Sequence, residues 1–352
     1  MTRLLTTGYE TGDVNEAGVS NVAGFATMAV VSSTPAPRAG SYCLKLGATN
    51  SSSNNAYKTF ALPAAKSEVW VRFAFLSHLL TGGGAVTIAQ MNDSTSAVQV
   101  ILTYSTTDGL LRAYAGTFTT LLGVSSAGFT ADSWHVIEWR EQILSATTGA
   151  LEVWLDGTRV INFSGDTSNT AVLSVSSVLL GTMGNNVQTG AYAAFDDIAI
   201  NDVAGTINNG RPGDGRVVLL VPNGAGSSSV WTRGGTDTGA NYSQTNELPP
   251  SMAQYVASAT VADRDLYALG DLGMAIDSIN VVEELVLAQN SDAGAGSLGL
   301  TIKSGATINE ATAQPLGTSP TYYVARYETD PNTSAAWTQA AVNALEAGMT
   351  VR

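Results

Sequence analysis

Short alternating segments separated by turn-forming residues recur along the chain, and this pattern limits the fold more than any other feature. In residues 68–75, Glu-Val-Trp-Val-Arg-Phe-Ala-Phe, the side chains alternate with the period of two that is typical of a strand. Segments in the same style are 98–104, 110–114, 134–140, 151–155 and 172–180. Asp156 and Gly157 between two such segments predict a type I′ hairpin turn. The pattern therefore predicts antiparallel sheets packed as a sandwich or barrel.

The length of 352 residues exceeds the usual size of one domain, so two domains are expected. Residues 208–215, Asn-Asn-Gly-Arg-Pro-Gly-Asp-Gly, consist of turn formers without an apolar side chain, which predicts a linker. The predicted domains are then 1–207 and 216–352. Further strands are expected at 216–221, 276–287, 298–304 and 322–328. The expected fold class is all-β, with two consecutive antiparallel β-sandwich (jelly-roll-like) domains.

One short helix is predicted near the C-terminus. Asn332, Thr333 and Ser334 supply a cap, residues 335–347 are rich in alanine, and Gly348 supplies a stop. Residues 349–352 are expected to form a closing strand.

Charge and composition argue against several classes of partner. The net charge is −13 and the arginines are scattered singly, as at Arg72, Arg112 and Arg159, so no nucleic-acid partner is expected. The single cysteine, Cys43, lies in an apolar run and predicts a buried strand thiol rather than a metal ligand. The N-terminus lacks a signal-peptide core and no segment reaches the roughly 20 apolar residues of a membrane helix, so we expect neither Sec export nor membrane insertion.

The first domain resembles the concanavalin A-like lectin/glucanase family, in its laminin-G-like branch. Three segments carry the resemblance over roughly the first 200 residues: Trp-His-Val-Ile-Glu-Trp at 134–139, Gly-Ala-Leu-Glu-Val-Trp-Leu-Asp-Gly at 149–157, and Phe-Asp-Asp-Ile-Ala-Ile at 195–200. The resemblance implies a lectin-like sandwich. It carries no catalytic motif.

Calcium is the cofactor that this resemblance implies, because the family often binds it between the first strand region and the last. Oxygen ligands suit the ion. The candidate ligands are Asp196 or Asp197 together with Glu10 or Asp13.

The second domain resembles a module of minor structural proteins in tailed bacteriophages. The resemblance rests on the strand at Trp231, residues 241–249, residues 263–267, and residues 330–333 ahead of Trp337. It implies location in a virion, other virion proteins as partners, and a homo-oligomeric assembly.

A glycosidase of this fold would need two carboxylates at alternating positions on one strand face. The nearest pairs are Glu138 with Glu141, which fall on opposite faces, and Glu152 with Asp156, which span a hairpin entry. His135 has no serine nucleophile motif beside it. The glycines of residues 294–299 match a dinucleotide-binding spacing but lack the strand before and the helix after, which predicts a loop. These observations predict that the chain is not an enzyme.

Two functions remain open. The first is a non-catalytic structural protein of a tailed phage, as a head decoration, tail or fibre-associated subunit that exposes its lectin-like domain. The second is a carbohydrate-binding module that holds host surface glycans in loops at one end of the sandwich. Convergence of Tyr9, Tyr57, Tyr192 or Tyr242 beside acidic and amide side chains would favour the second.

Overall fold

The computed structural model describes residues 2–24, 26–48, 53–80, 84–145, 148–186, 189–236 and 238–352. The chain divides into two compact units, Met1–Val217 and Val218–Arg352. Both are built from antiparallel strands, so the predicted all-β class is confirmed. Within the described ranges, no helix is long and apolar enough to cross a membrane.

Two sheets make up the first unit. Its strands are β1 (Arg3–Thr7), β2 (Val19–Ala23), β3 (Ala26–Val31), β4 (Cys43–Ala48), β5 (Ser53–Lys66), β6 (Glu68–His78), β7 (Ala85–Asn92), β8 (Val98–Ser105), β9 (Leu110–Ala115), β10 (Thr120–Gly128), β11 (His135–Gln142), β12 (Gly149–Leu155), β13 (Thr158–Gly165), β14 (Val175–Asn186) and β15 (Tyr192–Asp202). Sheet A has the order β13-β12-β11-β6-β15-β4-β3, and β1 also pairs with β15. Sheet B has the order β10-β9-β8-β7-β14-β5-β2.

The core of the first unit lies between the two sheets. On β6, Val69, Val71, Phe73 and Phe75 face inward and are fully buried, as the alternation in the sequence predicts. The ring of Phe75 meets that of Phe195 edge to face, with centroids 5.3 Å apart. Because every second side chain of β6 enters the core, the intervening ones lie on the outer face of sheet A.

The hairpin between β12 and β13 confirms the predicted turn. Asp156 and Gly157 both have positive φ, 48° and 80°, as a type I′ turn requires.

The second unit has one larger sheet and two strand pairs. Its elements are β16 (Pro222–Ser229), β17 (Thr232–Gly235), a 3-10 helix (Asn241–Gln244), β18 (Gln254–Ala257), β19 (Arg264–Leu269), β20 (Val282–Ala288), β21 (Ser297–Ser304), β22 (Thr307–Glu310), β23 (Gln314–Pro315), β24 (Thr321–Tyr327), α1 (Gln339–Asn343) and β25 (Glu346–Val351). The larger sheet has the order β16-β19-β25-β21-β22, with β23 against β21. β17 pairs with β18, and β20 pairs with β24. Its core contains Leu300, Ile302 and Trp337.

Two local predictions in the second unit need correction. The predicted helix over 335–347 is reduced to α1, capped by the Thr338 side chain. Trp337 instead forms a bridge with Ile279 and buries its indole, which donates to the carbonyl of Tyr327 at 2.8 Å. Residues 216–221 form no strand; the first strand is β16.

Candidate functional site

A row of side chains crosses one end of the outer face of sheet A. The strand register places His78 of β6 opposite Tyr192 of β15, Tyr192 opposite Gly47 of β4, and Gly47 opposite Thr27 of β3. Lys45 lies two residues before Gly47 on the same face of β4. Side chains that are far apart in sequence therefore meet at this end of the sheet.

Tyr192 is the centre of this row. The His78 ring stacks on it, with centroids 4.6 Å apart and ring planes 25° apart. The ammonium of Lys45 lies 4.2 Å from the centroid of the same ring, within the range of a cation–π interaction. Asp132 completes the group, because its Oδ1 lies 2.5 Å from Nδ1 of His78. We call Lys45, His78, Asp132 and Tyr192 the Tyr192 cluster.

Solvent reaches the Tyr192 cluster. The side chain of Asp132 is 60% exposed and that of His78 is 31% exposed. Burial of the phenol, followed by the nearby charge of Asp132, raises the pKa of Tyr192 above its ordinary value. The hydroxyl is protonated at neutral pH and can donate a hydrogen bond.

Gly47 lies in a tight space between Thr27 and Tyr192. A Cβ atom at this position would lie 2.9 Å from Oγ1 of Thr27 and 3.8 Å from the Cβ of Tyr192. A side chain at position 47 would therefore collide with the Thr27 hydroxyl, and glycine allows Thr27 and Tyr192 to pack closely on this face.

A different arrangement occupies the middle of the same face, where residues 210–217 pack across sheet A. We call these residues the covering segment. Glu138 of β11 accepts a hydrogen bond from the backbone N–H of Gly213 at 2.7 Å and forms an ion pair with Arg211 at 3.0 Å. The guanidinium of Arg211 also lies 4.0 Å from the ring centroid of Trp154. Glu138 is only 1% exposed as a result.

The far half of the covering segment is held by Asp197. The backbone N–H of Val217 donates to its Oδ1 at 2.7 Å, and Arg38 donates to its Oδ2 at 2.7 Å. Arg38 also pairs with Asp214 and donates to the carbonyl of Gly215. These contacts fill the central part of the face with internal ion pairs rather than leaving it open to a ligand.

The carboxylates predicted to bind calcium lie next to this network. Asp196 is fully buried and its Oδ2 accepts from the backbone N–H groups of Arg38 and Ala39 at 2.9 and 3.3 Å. Burial, and then the charge of Asp197, raises the pKa of Asp196 to about 8.

Glu10 is close enough to Asp197 for the two charges to interact, and burial raises its pKa to about 7. Its Oε2 accepts from the backbone N–H of Ser41 at 2.7 Å, whereas its buried Oε1 has no partner among the described residues. Asp13 instead accepts hydrogen bonds from Asn15. In the part of the chain that the structure describes, no three acidic, histidine or cysteine side chains form a group that could hold a metal, so calcium stays a prediction.

Of the four tyrosines singled out in the sequence, the three in the first unit do not converge, and Tyr242 belongs to the second unit. Tyr9 is in the core of the first unit, Tyr57 is on β5 of sheet B, Tyr192 is on sheet A, and Tyr242 packs against the core of the second unit.

The other sequence candidates have local partners. Nδ1 of His135 lies 2.7 Å from Oδ2 of Asp156, and the Glu152 carboxylate pairs with Arg159. Glu141 is fully buried beside Trp139, whose indole N–H donates to it at 3.1 Å. These pairings account for the side chains as parts of the sandwich.

Sequence reasoning missed Lys45, His78 and Asp132. The sequence offered one hint of this cluster: His78, one of the two histidines of the chain, stands at the end of a strand with alternating side chains.

No family model matches the sequence, and no curated protein matches it. Several solved structures share part of its fold. An endo-β-1,4-glucuronan lyase from the fungus Trichoderma reesei is 15% identical, with a TM-score of 0.47, over 61% of this chain and all of the lyase. A carbohydrate esterase from the Shiga toxin-encoding bacteriophage phi24B is 17% identical, with a TM-score of 0.40, over 56% of this chain and 97% of the esterase. An alginate lyase from Aplysia kurodai is 12% identical, with a TM-score of 0.38, over 49% of this chain and 86% of the lyase.

These similarities concern the sandwich fold alone. They nevertheless correct one prediction. The inference from the sequence that the chain is not an enzyme does not stand, because the solved structures that share part of its fold are mostly of enzymes, lyases and an esterase among them.

Proposed function

We propose that the first unit binds carbohydrate at the Tyr192 cluster. The observation that carries the proposal is the Tyr192 ring together with the charged and hydrogen-bonding groups of Lys45, His78 and Asp132 that lie against it in a partly exposed cluster. The chemistry fits a sugar, because the His78 ring and the Lys45 ammonium already lie against the Tyr192 ring, and the donors and acceptors of this group can bond the hydroxyls of a sugar.

The polar side chains around the Tyr192 ring can form hydrogen bonds with a ligand. The carboxylate of Asp132 can accept hydrogen bonds from ligand hydroxyl groups, and the imidazole of His78 can donate one. The Nζ of Lys45 donates to the carbonyl of Thr34 at 2.8 Å and retains further N–H groups for a ligand oxygen.

The test is a glycan-array screen of the full chain, followed by titration calorimetry with the strongest ligand. Replacing Tyr192 by alanine should weaken binding about tenfold or more, since loss of about 1.4 kcal/mol corresponds to a factor of ten. Tyr57→Ala is the matched control, because Tyr57 is a half-buried tyrosine on sheet B. Unchanged affinity in Tyr192→Ala, or equal losses in both variants, would refute the proposal.

We further propose that this binding takes place on a phage particle, where the chain docks on other virion proteins as a homo-oligomer. The support is the sequence resemblance of the second domain and the low share of charged residues, 13%. Mass spectrometry of purified particles should detect the chain at a fixed copy number, and sedimentation of the purified protein should give a closed oligomer. If the protein were found only in the lysate and sedimented as a monomer, the proposal that it is an oligomer on the phage particle would be contradicted.

Calcium binding at Glu10, Asp13, Asp196 and Asp197 is proposed from the family resemblance, and the unpartnered Oε1 of Glu10 supports it. A cation there would restore the ionised forms of Glu10 and Asp196, whose pKa values are raised. Calcium at 1 mM should therefore raise the melting temperature of the wild-type chain and not of Glu10→Gln. Equal melting temperatures with calcium and with EDTA would exclude the ion.

A further inference from the structure

A surface pocket lies in the second unit, apart from the Tyr192 cluster. It is a shallow, open depression of about 560 Å³, and it is lined by Trp231, Thr232, Arg233, Thr238 and Asn241. Trp231 directly precedes β17, Thr232 and Arg233 are the first two residues of that strand, and Asn241 begins the 3-10 helix. We call it the Trp231 pocket.

A buried carboxylate holds the Trp231 pocket in shape. Asp265 of β19 is fully buried, and its Oδ1 accepts hydrogen bonds from the backbone N–H groups of Val230 and Trp231 at 2.5 and 2.8 Å. Its Oδ2 accepts from Nδ2 of Asn241 at 2.6 Å and from the hydroxyl of Tyr267 at 3.1 Å. One side chain therefore fixes two walls of the pocket, as expected for a binding site whose geometry is set before the ligand arrives.

Arg233 gives the Trp231 pocket a positive charge. Its side chain donates to the carbonyl of Thr238 at 2.7 Å, which positions the guanidinium. Among the residues that the structure describes, no carboxylate lies within ion-pair distance of Arg233. An exposed arginine with no acidic partner in the described ranges, in a chain of net charge −13, favours a ligand with a negative group.

The remaining walls offer an aromatic surface and neutral hydrogen-bonding groups. The indole of Trp231 packs partly against the core, and its N–H is buried without a partner in the described structure. Both amide hydrogens of Asn241 are used, one by the carbonyl of Trp231 and one by Asp265, so the amide oxygen is fixed as an acceptor.

From these groups we infer that the Trp231 pocket is a second saccharide site, selective for a sugar that carries a carboxylate. The guanidinium of Arg233 matches a carboxylate with two parallel hydrogen bonds, and the indole matches the C–H face of a sugar ring. Thr232 and Asn241 supply the polar contacts that hydroxyl groups need. This inference is independent of the Tyr192 cluster, because the two sites share no residue.

Titration calorimetry of the full chain tests the inference. The probes are tetragalacturonate and sialyllactose as carboxylated saccharides, lactose as a neutral saccharide, and a tetraglutamate peptide as an acidic ligand that is not a saccharide. The variants are Arg233→Ala and Arg233→Lys, with Arg216→Ala as matched control, since Arg216 is also exposed and unpaired among the described residues.

At least one carboxylated saccharide should bind the wild-type chain more tightly than lactose. Arg233→Ala should weaken it tenfold or more, Arg233→Lys should lose part of the affinity, and Arg216→Ala should leave it unchanged. Tyr192→Ala should not affect this binding, which separates the two sites.

Three results would overturn the inference: no binding of either carboxylated saccharide, equal affinity for lactose, or tighter binding of the peptide. A loss in Tyr192→Ala without a loss in Arg233→Ala would assign the binding to the first unit and leave the Trp231 pocket without a ligand.

Discussion

Replacing Glu284 by glutamine should make the second unit less sensitive to pH. Glu284 of β20 is 6% exposed, and its Oε1 accepts from the backbone N–H of Gly348 at 3.0 Å. The hydroxyl of Tyr327 lies 3.4 Å from Oε2 and 3.2 Å from the carbonyl of Leu300. No cation lies within ion-pair distance of Glu284 among the described residues. Burial therefore raises the pKa of Glu284 to about 8.

The sign of the effect follows from the direction of this shift. The folded state holds the proton of Glu284 more tightly than the unfolded state, whose pKa is near 4.5. The resulting stabilisation is complete below pH 4.5 and is lost as the pH rises toward 8. The pKa difference corresponds to up to about 5 kcal/mol across this range, at 1.36 kcal/mol per pKa unit. Glutamine has nearly the same shape and no charge, and it can still accept from Gly348 and bond Tyr327.

The assay is urea unfolding at pH values from 5 to 9, followed by tryptophan fluorescence, to which Trp231 and Trp337 contribute in the second unit and four further tryptophans in the first. At pH 9 the Glu284→Gln variant should be more stable than the wild type by several kcal/mol, and at pH 5 the two should differ little. The raised pKa values of Glu10 and Asp196 affect both proteins equally and cancel in the difference. The exposed Asp271→Asn is the control. Parallel pH profiles for the wild type and Glu284→Gln would refute the reasoning.

Three further outcomes are expected in the first unit. Glu138→Ala should lower the free energy of unfolding by about 3 kcal/mol, because it leaves the N–H of Gly213 and the charge of Arg211 without their buried partner; a loss below 1 kcal/mol in urea unfolding would contradict this. Cys43 should react with Ellman's reagent at pH 8 only after unfolding, since burial raises the pKa of its thiol to about 12; complete reaction of the native protein within minutes would contradict it. Gly157→Ala should cost about 1 kcal/mol, because φ is 80° there; an unchanged melting temperature would show that the turn tolerates a side chain.

The sequence was sufficient to predict those elements that depend only on residues close to one another in the chain. The alternation in residues 68–75 identifies β6, and the Asp156 and Gly157 pair identifies the hairpin between β12 and β13. In both, the information lies within about ten residues, so no distant contact is needed to interpret it.

Distant contacts explain the errors near the C-terminus. The alanine-rich segment has high helix propensity, but Glu346–Val351 is the central strand between β19 and β21. Trp337 is drawn into the core by its burial and its bond to Tyr327. Pairing within the sheet and burial of a large aromatic side chain outweigh propensities of a few tenths of a kcal/mol per residue.

The Tyr192 cluster could not be predicted for a related reason. Its residues come from three strands and a loop, and a shift of one residue in the pairing of β4, β6 or β15 would turn a side chain to the opposite face. Only the register of the folded sheet brings Lys45, His78 and Tyr192 together.

The composition of the covering segment is compatible with two different structures, an exposed linker and a segment packed on a sheet. Its glycines, proline and polar residues predict an exposed linker, yet they also suit a segment that must lie close to buried charges. Arg72 of β6 is 4% exposed, and a Cβ atom on Gly215 would lie 2.6 Å from its Nη1, so a larger residue could not approach so closely. Glu138 and Asp197 accept hydrogen bonds from backbone N–H groups of the segment, which compensates part of the cost of burying them. The charged side chains on the outer face of sheet A therefore determine the path of residues 210–217.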